Sequence, residues 1–139
     1  MLTAVASDTL AIPPADAKET ASYFARLLAF ETDCSDVHAA MERARGGENA
    51  GFVLLDVRSH ESFLAGHIAG ATNLPRRQIS AQALSDYPKD TLFVVYCDGP
   101  HCNGADKAAL AIAQLGRPVK KMIGGIWGWK EDGFELSSQ

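Results

Sequence analysis

Cysteine is scarce in this chain of 139 residues: Cys34, Cys97 and Cys102 make an odd set with no CxxC pair. That is a poor disulfide framework and fits a reducing compartment better than secretion. No apolar run approaches the ~20 residues that a membrane-spanning helix needs, so a membrane partner is not expected. The opening stretch MLTAVASDTLAIPPAD has no basic region and is interrupted by Asp8. It reads as a loose arm over residues 1–14, not as a signal peptide. The expectation is a soluble, cytoplasmic protein. Clustered lysine and arginine are missing as well, and with a formal net charge of −4 nucleic acid is not an expected partner. Internal repeats and low-complexity segments are also absent.

What is present is a composition of ordinary globular type, 47% hydrophobic and 22% charged. The length suits one core, with a domain expected over 15–139 and a helical N-terminal extension over 15–50 packed on it. Asp16 and Glu19 form a capping box before Tyr23, Phe24, Leu27, Leu28 and Phe30, which predicts a helix from about Ala15 to Ala29 resting on the core. A brief strand near Phe30–Thr32 follows. Ser35 reads as the cap of a second helix with Val37, Ala40, Met41 and Ala44 inward, ended by Gly46-Gly47. Phe52–Val57 reads as a buried strand, Glu61–Ala65 as a short helix, Thr72–Leu74 as a small strand and Gln78–Leu84 as another short helix. A strand near Val119–Ile123 and a helix from about Ile126 to Asp132 close the chain. Strands alternating with helices at these spacings predict an α/β fold with a mainly parallel central sheet and helices on both faces.

The organising stretch is Thr91–Gly116. Leu92–Tyr96 is an unbroken apolar, β-rich run that suits a strand covered on both faces. Cys97 follows it directly, then a polar loop, then helical periodicity at Ala105, Ala108, Ala109, Ile112 and Leu115 with Gly116 as the stop. Open α/β sheets place ligands where a strand's carboxyl end meets a helix's amino end, because backbone N–H groups and the helix dipole favour negative charge there. Cys97 is therefore the candidate nucleophile, and its thiol is expected to ionise more readily than a free cysteine.

Three motifs fall in order along the chain. Asp56-Val57-Arg58, Glu61, Phe63, Gly66-His67-Ile68, Gly70-Ala71, Asn73 and Pro75 resemble the DVRxxxEFxxGHIxGAxNIP signature of rhodanese-like domains. Val94-Val95-Tyr96-Cys97, the loop and the Ala108-Ala109 helix resemble the active-site segment of that family, and Gly124-Gly125-Ile126-Trp127 with Trp129 its closing GGxxxW motif. The resemblance implies a small α/β sulfurtransferase in which a cysteine, here Cys97, carries a persulfide. Sulfur would pass from a small donor such as thiosulfate to cyanide or a thiol, with a protein thiol as a further acceptor class, and neither metal nor organic cofactor is required. It also implies that the substrate cradle comprises Asp98, Gly99, Pro100, His101, Cys102, Asn103 and Gly104, with Lys107 as its first basic side chain. The sequence departs from the commonest CxxGxRS cradle: CDGPHCNGADK is about two residues longer and lacks the arginine, a variation shared with a CxGPxC subset. Asp98 would repel a dianionic donor and only Lys107 and the helix dipole attract it, so thiosulfate should bind weakly.

Several roles stay open. Cys102 reads as a packing residue, as a resolving thiol for Cys97, or as the persulfide carrier itself. His101 beside Cys102 could tune thiolate charge or meet substrate, and zinc on His101, Cys97 and Cys102 lacks a fourth ligand and a familiar spacing. Asp56 and Arg58 read as a buried scaffold pair in preference to substrate ligands, Cys34 as structural, and Trp127 and Trp129 as core or rim aromatics. A phosphatase or arsenate reductase of Cx5R type would need arginine where Asn103 or Ala108 stands. The non-catalytic alternative is a redox sensor or interaction module built on the Cys97/Cys102 pair.

Overall fold

The computed structural model describes residues 7–139, so the first six residues of the expected arm lie outside it. The two apolar runs become the middle of the sheet. Strand β2 (Val53–Asp56) and strand β4 (Phe93–Tyr96) pair in parallel, with Leu54 opposite Val94 and Leu55 opposite Val95. Strands β1 (Glu31–Thr32), β3 (Thr72–Asn73) and β5 (Val119–Met122) complete a five-stranded sheet of order β1-β5-β4-β2-β3, and every pairing is parallel. The polar or small outer strands flank a β4 whose four residues are all buried.

Strand alternation divides the core in two. On one face Leu54, Val94, Tyr96 and Met122 pack with Cys34 and Val37 of α3 (Cys34–Arg45) and with Ile126 and Trp129 of α6 (Gly125–Glu131). On the other, Leu55, Val57, Phe93, Val95 and Cys97 meet Ala105, Ala108 and Ile112 of α5 (Gly104–Gln114). The chain leaves β2 towards β3 and leaves β4 towards β5, on opposite sides. The carboxyl ends of β2 and β4 thus flank the crevice where such sheets bind ligands.

Three local expectations need correction. Asp33, not Ser35, caps α3: its carboxylate accepts the Asp36 N–H at 2.8 Å. The β1 pairing ends at Thr32 and leaves Asp33 as the first free residue. Residues 78–84 do not form a helix. A 3₁₀ turn at Arg76–Gln78 is followed by irregular chain in which Ser80 Oγ accepts the Ala83 N–H at 3.0 Å. Arg117 then donates to the carbonyls of Leu84, Tyr87 and Pro88, satisfying groups that a helix would have bonded internally. Helix α2 (Ala17–Phe30) forms with Asp16 as its cap, but it buries no residue. Tyr23, Phe24, Leu28 and Phe30 are each more than half exposed. The helix runs into a two-residue polar edge strand, which offers little apolar surface to pack on. Before it, the described part of the arm carries a short exposed helix α1 (Asp8–Ala11). No helix among the described residues is long and apolar enough to cross a membrane.

The extension therefore has two unlike parts. Removing residues 1–30 is expected to leave cooperative unfolding with a nearly unchanged midpoint. Removing residues 1–50 takes away β1 and the buried Cys34, Val37 and Ala40 of α3 and is expected to abolish it. Urea denaturation followed by circular dichroism checks this; equal losses in both truncations would contradict it.

Candidate active site

At the end of β2 the Asp56 side chain is fully buried and therefore needs partners. It receives the Arg58 backbone N–H at 3.0 Å, Arg58 Nε at 3.0 Å and Nη2 at 2.7 Å, and the Tyr96 hydroxyl at 2.7 Å. Tyr96 Oη accepts the Ile68 N–H at 3.2 Å, and Arg58 Nη2 also donates to the Gly66 carbonyl at 2.6 Å. Burial alone would work against the Arg58 charge, but the bond to Asp56 and the charge of its carboxylate outweigh it and hold the guanidinium pKa above its ordinary value. Burial and the Asp56 charge push the Tyr96 phenol far up. Asp56 and Arg58 thus form a buried pair bonded to one another. One contact goes further: Arg58 Nη1 reaches the Asp98 carboxylate at 3.4 Å, tying the scaffold to the loop after Cys97.

The loop's own backbone is clamped by α6. Ile126 N–H donates to the Cys97 carbonyl at 3.1 Å and Trp127 N–H to the Asp98 carbonyl at 2.8 Å. Gly125 allows this approach: it adopts φ +57°, and a Cβ there would lie 2.5 Å from the Cys97 carbonyl oxygen and 2.9 Å from the Gly99 nitrogen. In a trans peptide the C=O and N–H point opposite ways. The N–H groups of Asp98 and Gly99 therefore face away from α6, and that of Asp98 favours ionisation of the two nearby thiols.

Cys97, Gly99, Pro100 and Cys102 line a cleft of about 170 Å³ with Asp106 and Lys121. The structure thus gathers part of the predicted cradle. Gly104 opens α5, and its N–H donates to Cys102 Sγ at 3.4 Å. Asn103 is the residue before the helix but makes no side-chain cap. His101 is exposed with its ring edge-on to Trp127 at 6.3 Å. It is not part of the group formed by the ligand atoms of Cys97, Asp98 and Cys102, which lie within 4.8 Å of one another. Lys107 is exposed and does not line the cleft. The cation in the wall is Lys121 of β5, bonded to Asp106 at 2.7 Å and Glu31 at 3.2 Å. Only its place near a strand's carboxyl end could have marked it in the sequence. Trp129 is core and Trp127 is rim, packed on Gly99. A larger cleft of about 570 Å³, between α3 and residues 133–137, contains no cysteine.

The thiols reverse one expectation. Burial, then the hydrogen bond to Cys102, pushes the Cys97 thiol up to about 12. At the less buried Cys102, burial opposes ionisation but the hydrogen bonds from Cys97, Gly104 and Asp98 outweigh it and lower the pKa. Cys102 therefore ionises before Cys97, whose proton it helps to hold. Cys34, against Gly124 and Gly128, is pushed to about 11 chiefly by burial, in line with a structural role.

A family model, the rhodanese-like domain, matches residues 36–132. The chain belongs to that family. The rhodanese-like region thus includes α3 and leaves α1 and α2 outside it. The HTH-type transcriptional regulator Rv0324 of Mycobacterium tuberculosis (strain ATCC 25618 / H37Rv) is 36% identical over 101 residues, which are 73% of this chain and 44% of that protein. The chain thus spans less than half the length of this relative. The crystal structure of BH2092 protein from Bacillus halodurans superposes with a TM-score of 0.81 at 34% identity, covering 88% of this chain and 86% of that one. A thiosulfate sulfurtransferase from Pseudomonas aeruginosa shares the fold, with a TM-score of 0.63 at 23% identity over 81% of this chain and 21% of that one.

Two outcomes follow for the rhodanese-like site. Gly125→Ala should cost about 1–3 kcal/mol more than Gly133→Ala, because both glycines have positive φ but only Gly125 meets neighbouring backbone. Equal unfolding midpoints for the two variants would contradict the clamp. Iodoacetamide at neutral pH should label Cys102 before Cys97. Cys102→Ser removes the neighbour that holds Cys97 protonated, so half-labelling of Cys97 should move to lower pH. Peptide mapping that finds Cys97 labelled first, or a shift to higher pH, would overturn this order of ionisation.

Proposed function

We propose that this rhodanese-like domain is a sulfurtransferase that carries sulfane sulfur as a persulfide on Cys97. The observation that carries the reading is a thiol at the carboxyl end of the central strand, in a small cleft, with a second thiol within 4.8 Å of it. Cys102, as thiolate, takes the Cys97 proton when a donor enters. The Cys97 sulfur then attacks the donor's outer sulfur. With thiosulfate the S–S bond breaks and sulfite leaves with the bonding pair. The Gly104 N–H at the start of α5, which donates to Cys102 Sγ at 3.4 Å, supports the reading that this end of the loop favours the resulting charge. A thiol or cyanide then attacks the terminal sulfur and restores Cys97, giving ping-pong kinetics. A cleft well below the usual ~300–1,000 Å³ of drug-sized sites suits a donor of a few atoms.

Charge argues against tight binding of a dianion. Asp98 and Asp106 stand at the site, and the cationic groups there, Arg58 and Lys121, are each already engaged by carboxylates. A monoanionic persulfide donor or a protein thiol acceptor fits this field better. A second reading, sensing in place of turnover, is favoured by the adjacent thiols and by the relative named as a transcriptional regulator.

Incubation with thiosulfate followed by intact mass measurement tests the reading. The Cys102→Ser chain should gain one sulfur atom, and Cys97→Ser should not. Gain in Cys97→Ser that disappears in Cys102→Ser would move the carrier to Cys102. The KM for thiosulfate should lie in the millimolar range; a low micromolar value would show the electrostatic argument wrong.

A further inference from the structure

The two loop sulfurs converge on one point. A Cβ on Gly104 would lie 2.9 Å from Cys97 Sγ and 3.3 Å from Cys102 Sγ, so Gly104 has no side chain because both sulfurs occupy its place. Gly99–Cys102 form a turn closed by the Cys102 N–H on the Gly99 carbonyl at 3.0 Å, which brings Cys102 back towards the strand end. Cys102 is partly exposed at the cleft, whereas Cys97 lies beneath it. Cys34, the third thiol, belongs to the core cluster on the other face of the sheet and bonds the Ile123 and Gly125 carbonyls, so it does not compete.

We infer that Cys102 is a resolving thiol: once Cys97 carries a sulfane sulfur, Cys102 attacks Cys97 Sγ, closes a Cys97–Cys102 disulfide and expels the outer sulfur as hydrosulfide. This rests on the persulfide reading of Cys97 and adds an activity to it, dithiol-driven reduction of sulfane sulfur to sulfide. The balance is complete. The new bond joins the two Sγ atoms, and the bond that breaks is that between Cys97 Sγ and the outer sulfur, which takes the bonding pair and the proton that Cys102 had taken from Cys97 and leaves as HS⁻. Two cysteine sulfurs are oxidised by two electrons in all, and the sulfane sulfur is reduced by two. An external dithiol then reopens the disulfide by thiol–disulfide exchange and is itself oxidised.

The geometry favours the inner sulfur. Cys102 Sγ lies within 4.8 Å of Cys97 Sγ, so the attacking thiol starts beside its target. Attack on the outer sulfur would only pass the persulfide to Cys102, from which Cys97 could close the same disulfide and expel the same HS⁻. The Gly104 N–H on Cys102 Sγ eases loss of the Cys102 proton as the attack proceeds.

The test loads the whole chain anaerobically with thiosulfate, and in parallel with inorganic polysulfide, in the absence of any other thiol. Wild type should release about one equivalent of sulfide per chain and end as a Cys97–Cys102 disulfide by peptide mapping. Chain kept without donor should stay fully reduced. Cys102→Ser, and likewise Cys102→Ala, should keep the added sulfur and release no sulfide until dithiothreitol is added. Wild type that keeps its added sulfur as long as Cys102→Ser does, with no linkage formed, would overturn the resolving role and leave the persulfide reading standing. If neither donor adds sulfur to any form, the persulfide reading itself falls, and this inference with it.

Discussion

A carboxylate buried without a partner would lose most of its hydration, and Asp56 sits at the end of a strand with no exposed surface at all. Everything around it is arranged to answer that. Arg58 supplies a bidentate guanidinium, Tyr96 supplies a hydroxyl, and the second edge of Arg58 takes the Gly66 carbonyl and touches Asp98. One carboxylate thereby joins β2, β4, the turn before β3 and the loop after Cys97. Buried pairs of this kind are weak evidence for net stability, since a packed apolar isostere often does as well. Their value here is positional. The pair holds the ends of β2 and β4 in register, and the site lies across those ends.

The second constraint is the approach of α6 to the loop. Clamping two successive carbonyls with two helix N–H groups orients two peptide planes and turns their N–H edges away from α6. The approach needs Gly125, because any side chain would occupy the space where the carbonyl of Cys97 lies. The GGxxxW signature, read in the sequence only as a family mark, thus has a local cause in backbone sterics.

Much of this was legible in advance. Two apolar runs ending in chemistry-bearing residues located β2, β4 and the crevice, and the turn composition after Cys97 located the loop and α5. The partnering of Asp56 with Arg58 followed from the cost of burying charge. What could not be read were quantities set by tertiary contact. The exposure of the α2 apolar face depends on how little surface a two-residue edge strand offers. The irregular run after Gln78 is held by Arg117, almost forty residues on. Lys121 enters the cleft because the register places it beside Val95, on the face shared with Cys97. The distribution of the proton between two cysteines depends on their relative burial, which no spacing reveals.

The missing arginine and the extra thiol bear on one another. An arginine in the cradle would favour dianions in the cleft and would hold an anionic product there. This loop instead carries Asp98, and Asp106 also lines the cleft, so the field disfavours capture of a dianion. The Gly104 N–H at the same time supports charge on Cys102 Sγ. The turn closed by the Cys102 N–H on the Gly99 carbonyl brings Cys102 back beside Cys97, so one loop supplies both the carboxylate of Asp98 and the second thiol.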